Sequence, residues 1–336
     1  MNKNKIQKWV LTIIVLSITL LAAVLAGLAI GSTKIPFTSI PDILLNAQGT
    51  AEYSILMGIR LPRTLLAIAV GGSLGLAGTL LQGMFRNPLV EPYTLGISGG
   101  ASLGVCLTIV FSLHTKIGII AYPMSGFAGA GLVIFMVYTL SIKGGALKPN
   151  TMLLTGVMIS FVASSLVMLL MAISKSDDLH NIVFWIMGSL DEPNLLLIKI
   201  VCYGSIIGLI ISLFFCHNLN ALALGDEQAT LLGIDTAKTK KTLFVIASLL
   251  TGLSVSVAGI IMFVGLIIPH FMRMVIGSDH RILMISSFLG GASFLIICDI
   301  FARTIISPLE LPVGVITGII GGVVFIYILG QKQVRL

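Results

Sequence analysis

Few residues in this chain have the types and spacing that catalysis or metal binding requires. The segment GISGG, residues 96–100, resembles the turn that carries a nucleophilic serine, but it matches G-x-S-G-G rather than G-x-S-x-G and lies within an apolar run. The 5 histidines and 4 cysteines are scattered without metal-ligand spacing, and the sequence contains neither G-x-x-x-x-G-K-S/T nor H-E-x-x-H. We therefore expect no catalytic residues, no metal ligands, no cofactor and no enzyme activity in this chain.

Three arginines can instead recognise carboxylates, because a planar guanidinium binds a carboxylate through two parallel hydrogen bonds. Arg60 and Arg63 stand in the motif RLPR, and Arg303 follows Asp299 in the motif DIFART. One interpretation is that these side chains snorkel to lipid headgroups while Asp299 pairs with Arg303 one helical turn away. The other is that they form a patch for an acidic soluble partner. The residues alone leave both interpretations open.

A second polar stretch, HNLNALALGDEQATLLGIDTAKTKK at 217–241, mixes charged residues with leucines. Within it, ALALGDEQATLLGID predicts two short helical turns hinged at Gly225 and Gly233. Its apolar residues are Leu222, Leu224, Ala229, Leu231 and Leu232, and its acidic residues include Asp226 and Glu227. An amphipathic element of this kind either docks into a groove on a partner protein or lies on the membrane surface.

The elements that must position these residues are membrane-spanning helices. Hydrophobic residues make up 57% of the chain and charged residues only 10%, whereas a soluble chain has about 25% charged residues. Uncharged apolar runs of about 20 residues separate the charged clusters, which is the length of a transmembrane helix. The runs are 9–30, 64–85, 93–113, 117–142, 151–174, 195–216, 242–272, 282–298 and 311–331. We predict an all-α polytopic membrane protein with no separate soluble domain.

The run 242–272 decides the number of spans. It would form a helix about 46 Å long, whereas the hydrocarbon core of a bilayer is about 30 Å thick. If it forms two short helices meeting near Gly259, the chain has about ten spans, both termini are cytoplasmic, and most of the 20 Lys and Arg residues lie inside. If the run crosses the membrane only once, the Lys and Arg residues divide evenly between the two sides. The net charge of +7 then reflects membrane insertion, not nucleic-acid binding.

On this topology the arginines of RLPR and Arg303 lie outside, and 217–241 lies inside. The first apolar run is longer than that of a signal peptide, so we expect it to be an uncleaved span. Glycines at four-residue spacing, including Gly71 with Gly75 and Gly100 with Gly104, predict close contact between helices.

Two other functional classes make different demands on the sequence. An ion- or proton-coupled secondary transporter needs carboxylates or histidines at mid-depth in its spans, whereas Asp299 and Lys199 lie near span ends on this topology. An intramembrane enzyme needs a convergent nucleophile and base or a metal site, and no such set is visible. The pattern favours a passage whose energy comes from another protein.

Three blocks resemble the FecCD-type permeases, the membrane subunits of ATP-binding-cassette importers for iron-siderophores, haem and cobalamin. They are RLPRTLLAIAVGGSLGLAGTLLQGMFRNPLVEPYTLGISGGASLG (60–104), GLIIPHFMRMVIGSDHRILMISS (265–287) and DIFARTIISPLELPVGVITGIIGGVVFIYIL (299–329). The resemblance implies one multi-pass permease domain over residues 1–336 in a prokaryotic cell membrane. It implies two partner ATPase subunits, an extracytoplasmic substrate-binding protein and a second permease copy, identical or paralogous.

The resemblance also implies roles for individual residues. Arg60, Arg63 and Arg303 fall where the family docks acidic residues of the binding protein. Residues 221–236 fall where the family has its coupling helices, and the matching positions are Leu224, Gly225, Asp226, Glu227, Ala229, Leu232 and Gly233. The cytoplasmic gate maps to Asn87 and Leu89 in the turn after the second span, and to Asn150 and Thr151 at the start of the fifth.

Overall fold

The computed structural model describes residues 3–31, 35–46, 49–143 and 146–333, and these residues are almost entirely helical. The two termini that we expect in the cytoplasm, residues 1–2 and 334–336, lie outside the described residues. The helices are α1 (Lys3–Ala29), α2 (Ile40–Asn46), α3 (Ala51–Ile55), α4 (Leu61–Phe85), α5 (Ile97–Val110), α6 (His114–Ile117), α7 (Ala121–Ser141), α8 (Pro149–Ile173), α9 (Ser176–Met187), α10 (Leu195–Leu213), α11 (Cys216–Leu222), α12 (Asp226–Leu231), α13 (Thr236–Ala258), α14 (Val264–Ile276), α15 (His280–Thr304) and α16 (Val313–Gln333).

Short irregular elements connect several of these helices. A π-helical turn, Leu56–Arg60, joins α3 to α4, and 3₁₀ turns cover Phe37–Ser39 and Pro92–Leu95. Strands β1 (Ile142–Lys143) and β2 (Ala146–Leu147) pair antiparallel. This small ladder lies between α7 and α8.

By length and composition, seven of the described helical stretches can cross a membrane, and three shorter apolar helices accompany them. The shorter ones are Ile97–Val110, Val264–Ile276 and Val313–Tyr327. The chain is therefore a helical membrane protein, as the apolar runs predict. The apolar run 93–113 becomes a 3₁₀ turn followed by α5, so the regular helix is shorter than the run.

An irregular segment between α4 and α5 takes up the first part of this apolar run. The chain leaves α4 at Arg86 and reaches Gly96, where an added Cβ would meet the carbonyl oxygen of Gly156. Gly156 is about two turns inside α8, so α5 begins roughly 10 Å beyond the first residue of that helix.

The long apolar run 242–272 is broken, as expected, at Gly259. Helix α13 ends at Ala258, Gly259 adopts a φ of 67°, and α14 begins at Val264. A side chain at Gly259 would also collide with the carbonyl oxygen of Trp185. Glycine meets both demands because it tolerates a positive φ and has no Cβ.

Helix α4 is the centre of the bundle, and it is buried on nearly every side by α10, α13, α14 and α15. Its contact with α15 is close because Gly71 and Gly75 face backbone atoms of Gly291 and Ser287. The predicted role of the glycine stripe in helix packing is confirmed at these positions. Helices α1 and α8 are largely exposed along their apolar sides and lie at the periphery.

Candidate functional site

The predicted arginine patch is a buried ion-pair cluster at one end of the bundle. Arg63, near the start of α4, places its Nε 2.7 Å from Asp299 Oδ1, and Arg303 Nη2 lies 2.9 Å from Asp299 Oδ2. The side chain of Asp299 is 1% exposed, and those of Arg63 and Arg303 are each 5% exposed. One carboxylate thus bridges two guanidiniums that come from different helices.

Arg60 and Arg303 also bind the end of α1. The Nη1 of Arg60 donates to the carbonyl oxygens of Leu28 and Ala29, each at 2.8 Å, and Arg303 Nη2 donates to that of Gly27 at 3.2 Å. Cations at a helix C-terminus satisfy carbonyls that have no partner within the helix. The cluster therefore joins α1, α4 and α15.

This arrangement corrects one of the two interpretations of the arginines. The pairing of Asp299 with Arg303 across one helical turn is present. Snorkelling to lipid is wrong for these side chains, because the residues Arg60, Arg63 and Arg303 are only 3%, 5% and 4% exposed.

Glu310 is a member of the cluster that the sequence reasoning missed. Its Oε2 lies 2.5 Å from Arg63 Nη1, while its own side chain is 43% exposed. The signal was present, since Glu310 is the one acidic residue between Arg303 and the C-terminus. It is the accessible edge of an otherwise buried cluster.

The expected hinged element lies at the opposite end of the bundle. Helices α11 and α12 are separated by Gly225, with a φ of 119°, and α12 ends before Gly233, with a φ of 82°. Leu224, Leu231 and Leu232 are 63%, 87% and 63% exposed, so they form an apolar surface that the described residues leave uncovered.

Not every residue of this element is on that surface. Leu222 and Ala229 are 1% and 0% exposed, so they pack into the core rather than present themselves to a partner. Asp226 Oδ2 lies 2.5 Å from Lys240 Nζ on α13, whereas Glu227 is exposed. The element is thus firmly connected to the first turns of α13.

The candidate gate residues lie in and near the turn that follows α4. Arg86 ends α4 with a left-handed φ of 52°, and Asn87 Oδ1 accepts a hydrogen bond of 2.9 Å from the backbone N–H of Leu89. The Leu89 side chain is exposed. Asn150 and Thr151 lie in the first turn of α8, and within the described ranges no hydrogen bond joins them to the turn.

Two side chains beyond this turn hold the break between α13 and α14. Glu91 Oε1 accepts a hydrogen bond of 2.6 Å from the backbone N–H of Phe263, and the Tyr93 hydroxyl accepts one of 3.2 Å from that of Ile261. Sequence reasoning missed both roles, since nothing local marks residues some 170 positions apart as partners. These two hydrogen bonds join the segment after the turn to the break between α13 and α14.

Ser98 of GISGG is half-buried in the first turn of α5. Within the described part of the chain, no group of three or more His, Cys, Asp or Glu residues is placed to hold a metal ion. Cys106, Cys202, Cys216 and Cys298 are free thiols.

Comparison with known proteins places this geometry in a family. The FecCD transport family matches residues 19–331. The hemin transport system permease protein HmuU of Yersinia pestis is 38% identical over 320 residues, which cover 94% of this chain and 96% of that protein. The Fe(3+) dicitrate transport system permease protein FecD of Escherichia coli K12 is 38% identical over 324 residues, covering 96% of this chain and 98% of that protein.

A solved structure of similar fold is an inward-facing conformation of a metal-chelate type ABC transporter. It matches with a TM-score of 0.83 at 28% sequence identity, and the match covers 96% of this chain and 99% of that one. The buried arginine cluster, the hinged element and the turn after α4 (residues 86–90) thus lie in a chain that matches its relatives along nearly its whole length. This chain belongs to the FecCD transport family.

Proposed function

We propose that the chain is the membrane-spanning permease subunit of an ATP-binding-cassette importer. It passes an iron chelate such as a siderophore complex, haem, or cobalamin from an extracytoplasmic binding protein into the cytoplasm. The observation that carries this proposal is the match to importer permeases over nearly the full lengths of both chains. ATP hydrolysis takes place in separate partner subunits, so this chain is not itself an enzyme.

The proposed topology has about ten crossings and cytoplasmic termini, in the cell membrane of a prokaryote. The seven long and three shorter apolar helices support it. The whole chain is one permease domain, and a second copy, identical or paralogous, completes the passage. On this topology the arginine cluster is extracytoplasmic, and α11 and α12 are cytoplasmic.

Docking of the binding protein takes place at the arginine cluster. Arg63 already binds Asp299 and the half-exposed Glu310, so a carboxylate of the binding protein reaches this guanidinium by replacing Glu310. Glu310 then acts as an internal substitute that keeps Arg63 paired between docking events. Arg60 and Arg303 supply further positive charge beside it, which favours an acidic partner surface.

Coupling to the ATPases takes place at 221–236. The exposed Leu224, Leu231 and Leu232 suit a groove on a partner, and Gly225 and Gly233 delimit the docked piece. The ion pair between Asp226 and Lys240 transmits its movement to α13. Glu227 adds an exposed charge at the same surface.

The gate is the turn around Asn87 and Leu89, opposed by its symmetry mate in the second permease copy, with Asn150 and Thr151 on the neighbouring helix. Because Glu91 and Tyr93 bind the backbone at the α13–α14 break, movement of α13 reaches the gate through hydrogen bonds. The route from ATPase to gate thus runs through a single helix.

The test is reconstitution of the permease with its ATPases and binding protein in proteoliposomes. Uptake of a ferric siderophore, haem or cobalamin should require internal ATP and the loaded binding protein. Uptake by the permease alone, driven by a proton or ion gradient, would instead establish a secondary transporter. That alternative has little support here, because the chain matches the FecCD transport family and importer permeases over nearly its whole length.

A further inference from the structure

Helix α11 leads into the proposed coupling segment 221–236, and two of its asparagine side chains attach it to different helices. The Nδ2 of Asn218 donates to Thr239 Oγ1 on α13 at 3.0 Å. The Nδ2 of Asn220 donates at 3.1 Å to Oδ1 of Asp279, the residue that caps α15. The segment that meets the ATPases in the proposed function is thus attached to two helices, whereas the proposed route to the gate uses only α13.

The attachment of Asn220 to α15 also involves its side-chain oxygen. The Oδ1 accepts a hydrogen bond of 2.9 Å from the backbone N–H of His280, and it lies 2.9 Å from His280 Nδ1. Backbone N–H groups in the first turn of a helix have no partner within that helix, so Asn220 satisfies one of these donors from outside. Asn220 is half-buried and His280 is 3% exposed. One amide therefore fixes α11 to the N-terminal end of α15.

Helix α15 carries the arginine cluster at its other end. Asp299, with Arg303 one turn later, binds Arg63 of α4 in that cluster. The helix is continuous from His280 to Thr304. At 1.5 Å per residue, the stretch from His280 to Asp299 spans about 28 Å, close to the thickness of the hydrocarbon core. A single helix thus connects the Asn220 contact to the proposed docking site.

Helix α4 supports α15 along this length. The glycine contacts between the two helices bring their backbones together, so neither can shift far without the other. At the inner end of α4, a Cβ added to Gly83 would meet side-chain atoms of both Leu219 on α11 and His280 on α15. The three helices therefore meet at one close-packed junction beside Asn220. We expect α4 and α15 to move together against α11.

We propose that Asn220 is a positioning residue through which docking of the binding protein is coupled to the ATPases. This inference rests on the proposed function, which places the ATPases at α11 and α12 and the binding protein at the arginine cluster. A shift of the docked cluster is carried by α15 and α4, which are rigid packed elements, to Asn220. Asn220 then moves α11 about the hinge at Gly225. Because coupling between two binding sites is reciprocal, nucleotide on the ATPases alters the docking affinity through the same contact.

Docking affinity measured with and without nucleotide tests the proposal. The complex of permease and ATPases in nanodiscs is titrated with loaded binding protein, first without nucleotide and then with a saturating non-hydrolysable ATP analogue. In wild type the two affinities should differ by at least about fivefold, the lower end of the usual range for coupled sites. Asn220→Ala should bring their ratio close to one. The nucleotide-free affinity should stay unchanged, because Asn220 lies at the opposite end of α15 from the arginine cluster.

Asn218→Ala is the matched control. It removes a side-chain hydrogen bond from the same short helix, but that bond goes to α13, so the ratio should remain that of wild type. Asn220→Asp places a second carboxylate against Asp279 and should reduce the ratio. Combining Asn220→Asp with Asp279→Asn exchanges donor and acceptor, keeps both the bond and the helix cap, and should restore the ratio. This rescue separates the positioning role from a general loosening of α11.

Several outcomes would overturn the proposal. They are a wild-type ratio of one, a wild-type ratio in Asn220→Ala, and an equal loss in Asn220→Ala and Asn218→Ala. If Asn220→Ala does not assemble with the ATPases, the exchange variant decides, and a ratio that it fails to restore also overturns the proposal. A wild-type permease that binds neither ATPases nor binding protein would reject the proposed function itself, and this inference with it.

Discussion

Arg63 and Asp299 form a buried ion pair with 2.7 Å between Nε and Oδ1, although they are 236 positions apart in the sequence. The pair joins the first turn of α4 to the last turns of α15. Because both side chains are at most 5% exposed, neither can regain water if the other is removed. The packing of helices at the extracytoplasmic end of the proposed permease therefore depends on this ion pair.

Removing the shared carboxylate should destabilise the protein strongly. Asp299→Ala leaves Arg63 and Arg303 buried without their common partner, a loss of the kind that costs about 3–5 kcal/mol. Unfolding of the purified chain, followed by circular dichroism against temperature or denaturant, measures this. Glu310→Gln is the matched control, because its side chain is 43% exposed and an exposed pair contributes about 1 kcal/mol or less. Equal stability of the two variants would contradict the central role of Asp299.

Removing the charge of Glu310, which pairs with Arg63 inside the chain, should strengthen docking of the binding protein. If Glu310 occupies the place of a binding-protein carboxylate, Glu310→Gln should raise the affinity of the loaded binding protein by about tenfold, the value of one charge-assisted hydrogen bond. Reversal of both RLPR arginines, Arg60→Glu with Arg63→Glu, should weaken it.

Surface plasmon resonance with the permease in nanodiscs measures both effects. Glu52→Gln serves as the control, since Glu52 is an exposed acid in α3 near the same end of the chain's second span. If the double arginine reversal leaves the affinity unchanged, these arginines are not part of the docking surface. If only Glu310→Gln leaves it unchanged, the idea that Glu310 occupies the place of a binding-protein carboxylate is rejected.

Charge on the exposed leucine surface should block ATPase association. Leu231→Glu introduces a carboxylate where the wild-type side chain is 87% exposed, so the permease should fold normally yet lose at least about tenfold in affinity for the ATPase subunits. Co-purification and ATPase titration measure the loss. Leu309→Glu, whose native side chain is 69% exposed at the other end, should leave association intact. Asp226→Lys with Glu227→Lys should uncouple hydrolysis from uptake.

A crosslink that holds the gate closed should stop substrate uptake and should reduce ATP hydrolysis less than it reduces uptake. In a background without the natural cysteines, Asn87→Cys should crosslink across the two permease copies and abolish uptake until a reductant is added. Lys116→Cys provides the control for oxidation itself. Undiminished uptake in fully crosslinked Asn87→Cys would place the gate elsewhere.

Asp279 should give the protein an acid-sensitive stability component. The hydrogen bonds from Arg281 lower the pKa of this carboxyl below its usual range, and those from Asn220 and Lys5 add to the effect. Because the folded-state pKa is the lower one, the stabilisation is complete above the ordinary Asp pKa of about 3.9 and is lost as the pH falls through the folded value. As the pH is lowered below about 4, melting temperatures should therefore fall less steeply in Asp279→Asn than in wild type.

Asp279→Ala separates charge from capping. Asp279 also caps α15, since its Oδ1 accepts from the backbone N–H of Arg281 at 3.2 Å. Asparagine keeps this cap and alanine does not, so alanine should cost about 1 kcal/mol more at neutral pH. If the melting temperatures of wild type and Asp279→Asn depend on pH in the same way, the ion pairs of Asp279 with Lys5 and Arg281 do not contribute to stability.

Local features of the sequence were enough for much of the architecture. Apolar runs predicted the membrane-spanning helices, and the length of 242–272 predicted the break at Gly259. Glycines within polar surroundings predicted the hinges at 225 and 233. These predictions succeeded because helix formation, helix breaks and membrane burial depend on residues within a few turns of each other.

The sequence by itself therefore determined the class, the helices and the family motifs of this protein. Only the tertiary structure decided which charges are buried and which leucines are exposed. Local pattern did not assign the pairing of Arg63 with Asp299 and Glu310, nor the burial of Ala229, since these contacts join distant segments. Burial and ion pairing follow from how helices pack, and packing is a property of the whole chain rather than of any run within it.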